Sequence, residues 1–222
     1  MKVIITGSTG MVGKGVLLEC LDDARVTQVL VVNRSALAIT HPKLREILHK
    51  DFSDFSLLEN DFATYDACFH CMGVSSAGMK EEQFTHLTYD FSMALARACY
   101  KANPQMTFTY VSGTGTDSTE KGRIMWARVK GRTENDILKL GFKQAYMFRA
   151  GAIRPLRGIK SRTRLYQNIY VIMSPFWPIF TVLMGKNLTD TTRIGKAMIN
   201  AVDKGFNKTH LENPDINQLS EQ

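Results

Sequence analysis

The chain begins with a β-branched run, Val3-Ile4-Ile5, that leads straight into Thr6-Gly7-Ser8-Thr9-Gly10-Met11-Val12-Gly13. An apolar pattern of helical period (Val12, Val16, Leu17, Cys20, Leu21) sets in around the last of these glycines. A strand, a glycine-spaced turn and a helix in that order form a cradle for a dinucleotide pyrophosphate. Gly7 permits the tight turn, Gly10 lets the backbone approach the phosphates, and Gly13 lets the helix pack against the strand. The unpaired N–H groups of the helix N-terminus then face the negative charge. The expected pyrophosphate-binding run is Gly7, Ser8, Thr9, Gly10, Met11 and Val12. Glycines also mark ordinary turns, and it is the flanking strand and helix that separate the two cases.

The second strand addresses the choice of dinucleotide. Gln28-Val29-Leu30-Val31-Val32 ends in Asn33-Arg34-Ser35, about 20 residues beyond the glycines. An acid there would accept hydrogen bonds from the adenosine ribose 2′-hydroxyl and favour NAD. No acid is present, and Arg34 beside Asn33 is placed to pair with a 2′-phosphate. The expected cofactor is therefore NADP(H), with NAD(H) second. A solvated arginine at a strand end is the plainer reading of the same residue.

Strand and helix then alternate as far as residue 148. Strands are predicted near 2–6, 28–32, 45–50, 66–71, 106–111 and 144–148. One helix is predicted from Glu82 to Lys101, with Phe84, Leu87, Phe91, Leu95 and Ala98 on one face. Another runs from Met125 to Leu140 and stops at Gly141. This alternation predicts an α/β, Rossmann-type, doubly wound parallel sheet with ligands beyond the carboxyl ends of the strands. With 222 residues and 44% hydrophobic content the chain reads as one domain, residues 154–190 forming a small C-terminal lobe over the substrate.

The formal net charge of +7 is unevenly placed. Between Asp136 and Asp190 there is no Asp or Glu, but there are nine basic residues: Lys139, Lys143, Arg149, Arg154, Arg157, Lys160, Arg162, Arg164 and Lys186. Taking these nine from the total of 28 leaves 19 basic residues against 21 acidic ones elsewhere. Such a field suits an anionic cofactor or substrate, or an acidic surface. No nucleic-acid-binding module accompanies it. The stretch from Leu165 to Met184 is uncharged and long enough to span a bilayer. Gln167, Asn168, Ser174, Pro175 and Pro178 argue against a spanning helix and for a substrate-covering lobe. A peripheral membrane contact through Phe176 and Trp177 is the alternative.

Four unevenly spaced cysteines make no disulfide framework. Cys68-Phe69-His70-Cys71 has the spacing of a zinc or redox pair, but strand residues three apart point to opposite faces, so no metal site is expected. Reduced core cysteines, and a Met1-Lys2 start that runs directly into the first strand without a signal peptide, predict a cytoplasmic protein.

Further motifs follow the strands: Asp51-Phe52 after the third, Cys71-Met72-Gly73 after the fourth, Val111-Ser112-Gly113 after the fifth and Phe148-Arg149-Ala150-Gly151 after the sixth. With Thr6 to Gly13, they make nearly the whole chain resemble the short-chain dehydrogenase/reductase superfamily. The resemblance is nearest to its atypical NAD(P)-binding branch of NmrA-like and Tat-interactive-protein-like proteins. It implies that Asp51 and Phe52 lie by the adenine and that Cys71, Met72 and Gly73 line the cofactor. It also implies that the segment from Ala150 through Gly151 to Ile153 passes near the nicotinamide.

The active site of that superfamily uses a serine after the fifth strand and a Tyr-x-x-x-Lys on the following helix. Residues four apart share a helix face, so the lysine charge lowers the tyrosine pKa. The tyrosine then exchanges a proton with the substrate while hydride moves at the nicotinamide. Ser112 and Lys130 match this pattern, and Lys130 is suited to hold the nicotinamide ribose. The tyrosine position is Trp126, and no Tyr-x-x-x-Lys occurs in the chain. Indole donates a hydrogen bond but is no acid or base near pH 7. Trp126 could instead stack on a planar flavin or quinone. Thr114, Thr116, Ser75 and Ser76 are substitute proton donors. The plainer readings are an exposed helix lysine for Lys130 and a turn-capping hydroxyl for Ser112.

Three functions remain open. The first is an NADP-dependent oxidoreductase whose small-molecule acceptor needs no tyrosine acid. The second is a module that senses NADP(H) and acts through a protein partner. The third is a nucleotide-sugar epimerase or dehydratase, against which the missing tyrosine counts.

Overall fold

The computed structural model describes residues 1–159 and 185–222. Strands β1 (Lys2–Thr6), β2 (Gln28–Asn33), β3 (Leu44–Leu48), β4 (Ala67–His70), β5 (Thr107–Val111) and β6 (Gln144–Arg149) are the six expected ones. Two three-residue strands, β7 (Ala152–Arg154) and β8 (Leu188–Asp190), pair with each other in parallel. A further one, β9 (His210–Glu212), joins the edge of the main sheet. The order is β3-β2-β1-β4-β5-β6-β9 with every neighbour parallel. The chain winds outward from β1 in one direction and then from β4 in the other. The crevice above the carboxyl ends of β1 and β4 is therefore the switch point where ligands bind in such sheets.

Side-chain alternation along the strands feeds two cores. Val3, Ile5, Val29 and Val31 face α1 (Met11–Asp22) and the helix Thr191–Asp203 near the C-terminus. Ile4, Leu30 and Val32 face the opposite core with Leu95 and Ile137, beneath the helices Phe91–Ala102 and Met125–Lys139. Each fully buried Leu, Ile or Val contributes about 1.5–3 kcal/mol over its exposed state. The same alternation parts the cysteines. Cys71 joins the core of Cys20, Cys68 joins that of Cys99, and all four are free thiols.

In chain order the remaining helices are α2 (Glu59–Phe62), α3 (Glu81–Thr85), α4 (Phe91–Ala102), α5 (Met125–Lys139), α6 (Thr191–Asp203) and α7 (Asn213–Ser220). The helix predicted over 82–101 is present but divided, because a π turn at His86–Asp90 separates α3 from α4. A π turn inserts one residue into the helical repeat. The buried face consequently passes through Thr88 and Ser92, and the expected Leu87 and Phe91 are left half-buried. Helix α5 ends as predicted, with Gly141 at φ +85° just beyond it.

Of the predicted lobe over 154–190, the structure describes only the rims. The β7–β8 pair draws them together, and Arg157 bridges Glu19 at 3.1 Å and Asp22 at 2.8 Å on α1. The uncharged stretch 165–184 lies outside the described residues. Part of the basic field is spent internally, since Lys139 pairs with Asp136, Arg149 with Glu134 and Arg157 with α1. No helix among the described residues is long and apolar enough to cross a membrane.

Candidate active site

The glycine turn explains the geometry of the crevice. Gly7 has φ +72°, and a side chain there would start 2.6 Å from the Met72 nitrogen, so the turn after β1 is pressed against the end of β4. A side chain on Gly13 would start 2.2 Å from the Gly7 carbonyl oxygen, which seats α1 directly on that turn. Gly10 differs from both. Its backbone is extended (φ −83°, ψ 170°), and the nearest atom to a side chain there is the Gly7 oxygen at 3.3 Å. Gly10 therefore keeps open a face that a Cβ would fill, as close backbone approach to a phosphate requires.

Ten of the expected residues line one cleft of about 450 Å³: Gly7, Thr9, Gly10, Met11, Asn33, Arg34, Phe52, Cys71, Met72 and Gly73. Val32 and Ser35 complete its wall. Arg34 is the only charged residue among them, and it is exposed, without an ion pair or hydrogen bond among the described residues. Ser8 and Val12 lie outside the cleft wall. Ser8 is buried and donates to the Asn33 carboxamide oxygen at 2.9 Å, while Val12 packs against the α1-side core. Asp51 is exposed, and hydrogen bonds from the Ser53 hydroxyl and amide hold its carboxyl below the usual range.

The residues expected to carry chemistry lie on the segments that follow β4, β5 and β6 and on α5. Ser112 is buried, with its hydroxyl 2.9 Å from that of Thr116. Thr116 spends its hydrogen on the Gly113 carbonyl at 2.7 Å, so the proton between the two hydroxyls comes from Ser112. The Trp126 ring lies over the next loop, 3.9 Å from the start of a side chain on Gly113 and 3.6 Å from one on Gly115. One turn further along α5, the Lys130 ammonium is 5.7 Å from the Tyr110 ring centroid. Burial pulls the Lys130 pKa down to about 8, against the pull of Glu134. Ala150 is buried, the Gly151 amide donates to Asn213 at 3.0 Å, and Ile153 is half-buried on β7. Thr114 is held between the Arg149 carbonyl and the Glu212 carboxylate at 2.9 and 2.8 Å. Ser75 and Ser76 sit half-buried in the loop after β4.

A buried polar chain lies between the two halves. The His70 Nδ1 is 2.6 Å from the Thr6 hydroxyl, and its Nε2 is 2.9 Å from the Ser92 hydroxyl. Ser92 gives its own hydrogen to the Thr88 carbonyl at 2.5 Å. His70 must therefore donate from Nε2 and accept at Nδ1, which makes it a neutral imidazole of one tautomer. Burial, and then the nearby Lys130 charge, depress its pKa to about 3. Sequence reasoning treated His70 only as part of the cysteine spacing. Its polarity at the end of the apolar run Ala67-Cys68-Phe69 was the available signal. The fully buried Glu134 and its partner Arg149, Nε to carboxylate at 3.1 Å, were also missed.

Comparison with known proteins gives three findings. The model of the NAD dependent epimerase/dehydratase family matches residues 3–120. Among curated proteins, "Protein FMP52, mitochondrial" of Candida albicans is 25% identical over 212 residues, covering 93% of this chain and 90% of its own. "Protein FMP52-1, mitochondrial" of Scheffersomyces stipitis is 26% identical over 155 residues, covering 69% of this chain and 67% of its own. Among solved structures, the UDP-N-acetylglucosamine 4-epimerase of Methanobrevibacter ruminantium M1 superposes with a TM-score of 0.72 at 18% identity, covering 99% of this chain and 80% of the enzyme. The Bordetella bronchiseptica enzyme WbmH, in complex with NAD+, does so with 0.67 at 16%, covering 95% and 75%. These likenesses bear out the Rossmann-type α/β fold. They overturn the cytoplasmic expectation, because the curated relatives are named as mitochondrial proteins. Reduced buried cysteines and an early first strand describe how the domain folds and carry no address.

Proposed function

This chain belongs to the NAD dependent epimerase/dehydratase family, and on that premise we propose that it is an NADP(H)-dependent oxidoreductase working without an active-site tyrosine. Within this reading it stands on the atypical branch with the NmrA-like proteins. The observation that carries it is the cleft with Arg34 as its only charged residue and no acid at the end of β2. Gly7, Thr9, Gly10 and Met11 would hold the pyrophosphate, Arg34 the 2′-phosphate, and Phe52, Met72 and Gly73 the adenosine and the passage beyond it. Lys130 would hold the nicotinamide ribose. NADPH, when bound, supplies hydride.

Trp126 sets the chemistry of the acceptor. Its indole offers a face for a planar ring and one N–H donor, but no proton to transfer. An acceptor such as a quinone or flavin, which takes its proton from solvent, suits that surface. Epimerisation of a sugar hydroxyl needs a side chain that removes a proton, which Trp126 does not provide. The same residue favours a second reading, an NADP(H)-sensing module that acts through a protein partner. NADPH oxidation measured with a panel of quinones, flavins and simple carbonyls, and product formation from UDP-sugars followed by chromatography, test the proposal. Turnover with the first two groups is expected. Tight binding without any turnover would replace the oxidoreductase with the sensor, and turnover of UDP-sugars would overturn both.

A further inference from the structure

In a site of this kind the last residue of β2 decides between a ribose hydroxyl and a ribose phosphate, and here that residue is Asn33, 3% exposed. Its side chain makes hydrogen bonds within the protein at both the amide nitrogen and the amide oxygen. In the parallel register Glu46 on β3 lies opposite Val31, two residues before Asn33, so Glu46 and Asn33 share one face of the sheet. The Asn33 Nδ2 is 3.2 Å from the Glu46 carboxylate. A carboxylate only accepts, so the amide nitrogen must face it, and the amide oxygen is left to accept from Ser8 at 2.9 Å. Glu46 also accepts from the Leu37 amide at 3.0 Å, which draws the turn carrying Arg34 and Ser35 back onto β3. Glu46 does not itself line the cleft.

We propose that Glu46 is a specificity-determining residue acting through Asn33: it excludes an acid from the end of β2 and leaves that corner of the cleft to Arg34. An aspartate at position 33 would set a second carboxylate against Glu46, and two carboxylates about 3 Å apart do not both stay ionised. The acid that would select NAD is thus barred by a residue outside the cleft. The inference deepens the NADP(H) reading and rests on it for its meaning, but the coupling between positions 33 and 46 is measurable apart from Arg34.

The test is a calorimetric titration of NADPH and NADH into four proteins: wild type, Asn33→Asp, Glu46→Gln and the double variant. Asn33→Asp alone is expected to lower the melting temperature without tightening NADH. Glu46→Gln should keep NADPH affinity within about threefold, because glutamine retains an acceptor for Leu37. The double variant should bind NADH about tenfold tighter than Glu46→Gln does, a coupling of the size seen for residues in direct contact. If Asn33→Asp fails to fold, recovery of folding on adding Glu46→Gln is the expected result. Asn33→Asp that tightens NADH as much as the double variant does, or a folded double variant with no gain, would overturn the proposal. A wild type without cofactor preference, unaffected by Arg34→Ala, would sink the NADP(H) reading while the same four proteins still report the coupling.

Discussion

The Trp126 ring lies against Gly113, where a methyl group added to the glycine would meet it at 3.9 Å. That contact places an indole over the loop carrying Ser112, one helical turn before Lys130. In the proposed function, the place of a proton donor is taken by a side chain that donates a hydrogen bond and keeps its proton.

Replacing Trp126 by tyrosine should therefore create carbonyl reduction where the wild type has little. Tyrosine is the smaller residue, so the change leaves a gap and no clash. A positioned general acid contributes about 10²–10⁴-fold, and even partial recovery is visible in an assay of NADPH oxidation with aldehydes and ketones. Robust wild-type activity that survives Trp126→Phe would show that another residue supplies the proton, with Thr114 the first to examine.

Two glycines of one turn should fail in different ways. A Cβ on Gly10 meets only the Gly7 oxygen, at 3.3 Å, so Gly10→Ala should change stability by no more than about 1 kcal/mol. It fills the open face, so NADPH affinity should fall more than about tenfold. Gly13→Ala drives a methyl to 2.2 Å from a backbone oxygen and should cost about 1–3 kcal/mol of stability as α1 shifts. Urea denaturation and calorimetry on both variants separate the effects. Equal losses of stability would contradict this division of roles.

His70 should make the fold sensitive to acid. Its folded-state pKa of about 3 lies below the ordinary 6.5, so below pH 6.5 the unfolded chain takes up a proton that the folded one refuses. The contribution is whole above pH 6.5 and is lost progressively as pH falls toward 3, amounting to about 2 kcal/mol between pH 7 and pH 5. The stability difference between wild type and His70→Asn should shrink by that amount over this range in chemical denaturation. A difference that does not vary with pH would show that His70 is not held neutral.

What was legible in the sequence was local. The β-branched run, the three glycines and the helical pattern within Val3–Leu21 fix β1, its turn and α1 without reference to the rest of the chain. Six strands followed from apolar runs of ordinary length. Arg34 and the Trp126–Lys130 spacing could be read because each depends on a count of residues. The π turn could not, since the helical pattern runs through it unbroken and the Ser92–His70 hydrogen bond next to it joins residues 22 positions apart. The three-residue strands β7, β8 and β9 are too short to show a period and exist through their neighbours. Glu46 reads as an ordinary strand acid until the register sets it on the same face as Asn33, 13 residues away.

In the proposed function Arg34 selects NADP(H), and calorimetric titration of NADPH and NADH into wild type and Arg34→Ala tests this most directly. Wild type is expected to bind NADPH with micromolar or tighter affinity and NADH more weakly. Arg34→Ala should lose about 1–3 kcal/mol, roughly 5- to 150-fold, for NADPH alone. Equal affinity of the wild type for the two cofactors would contradict it.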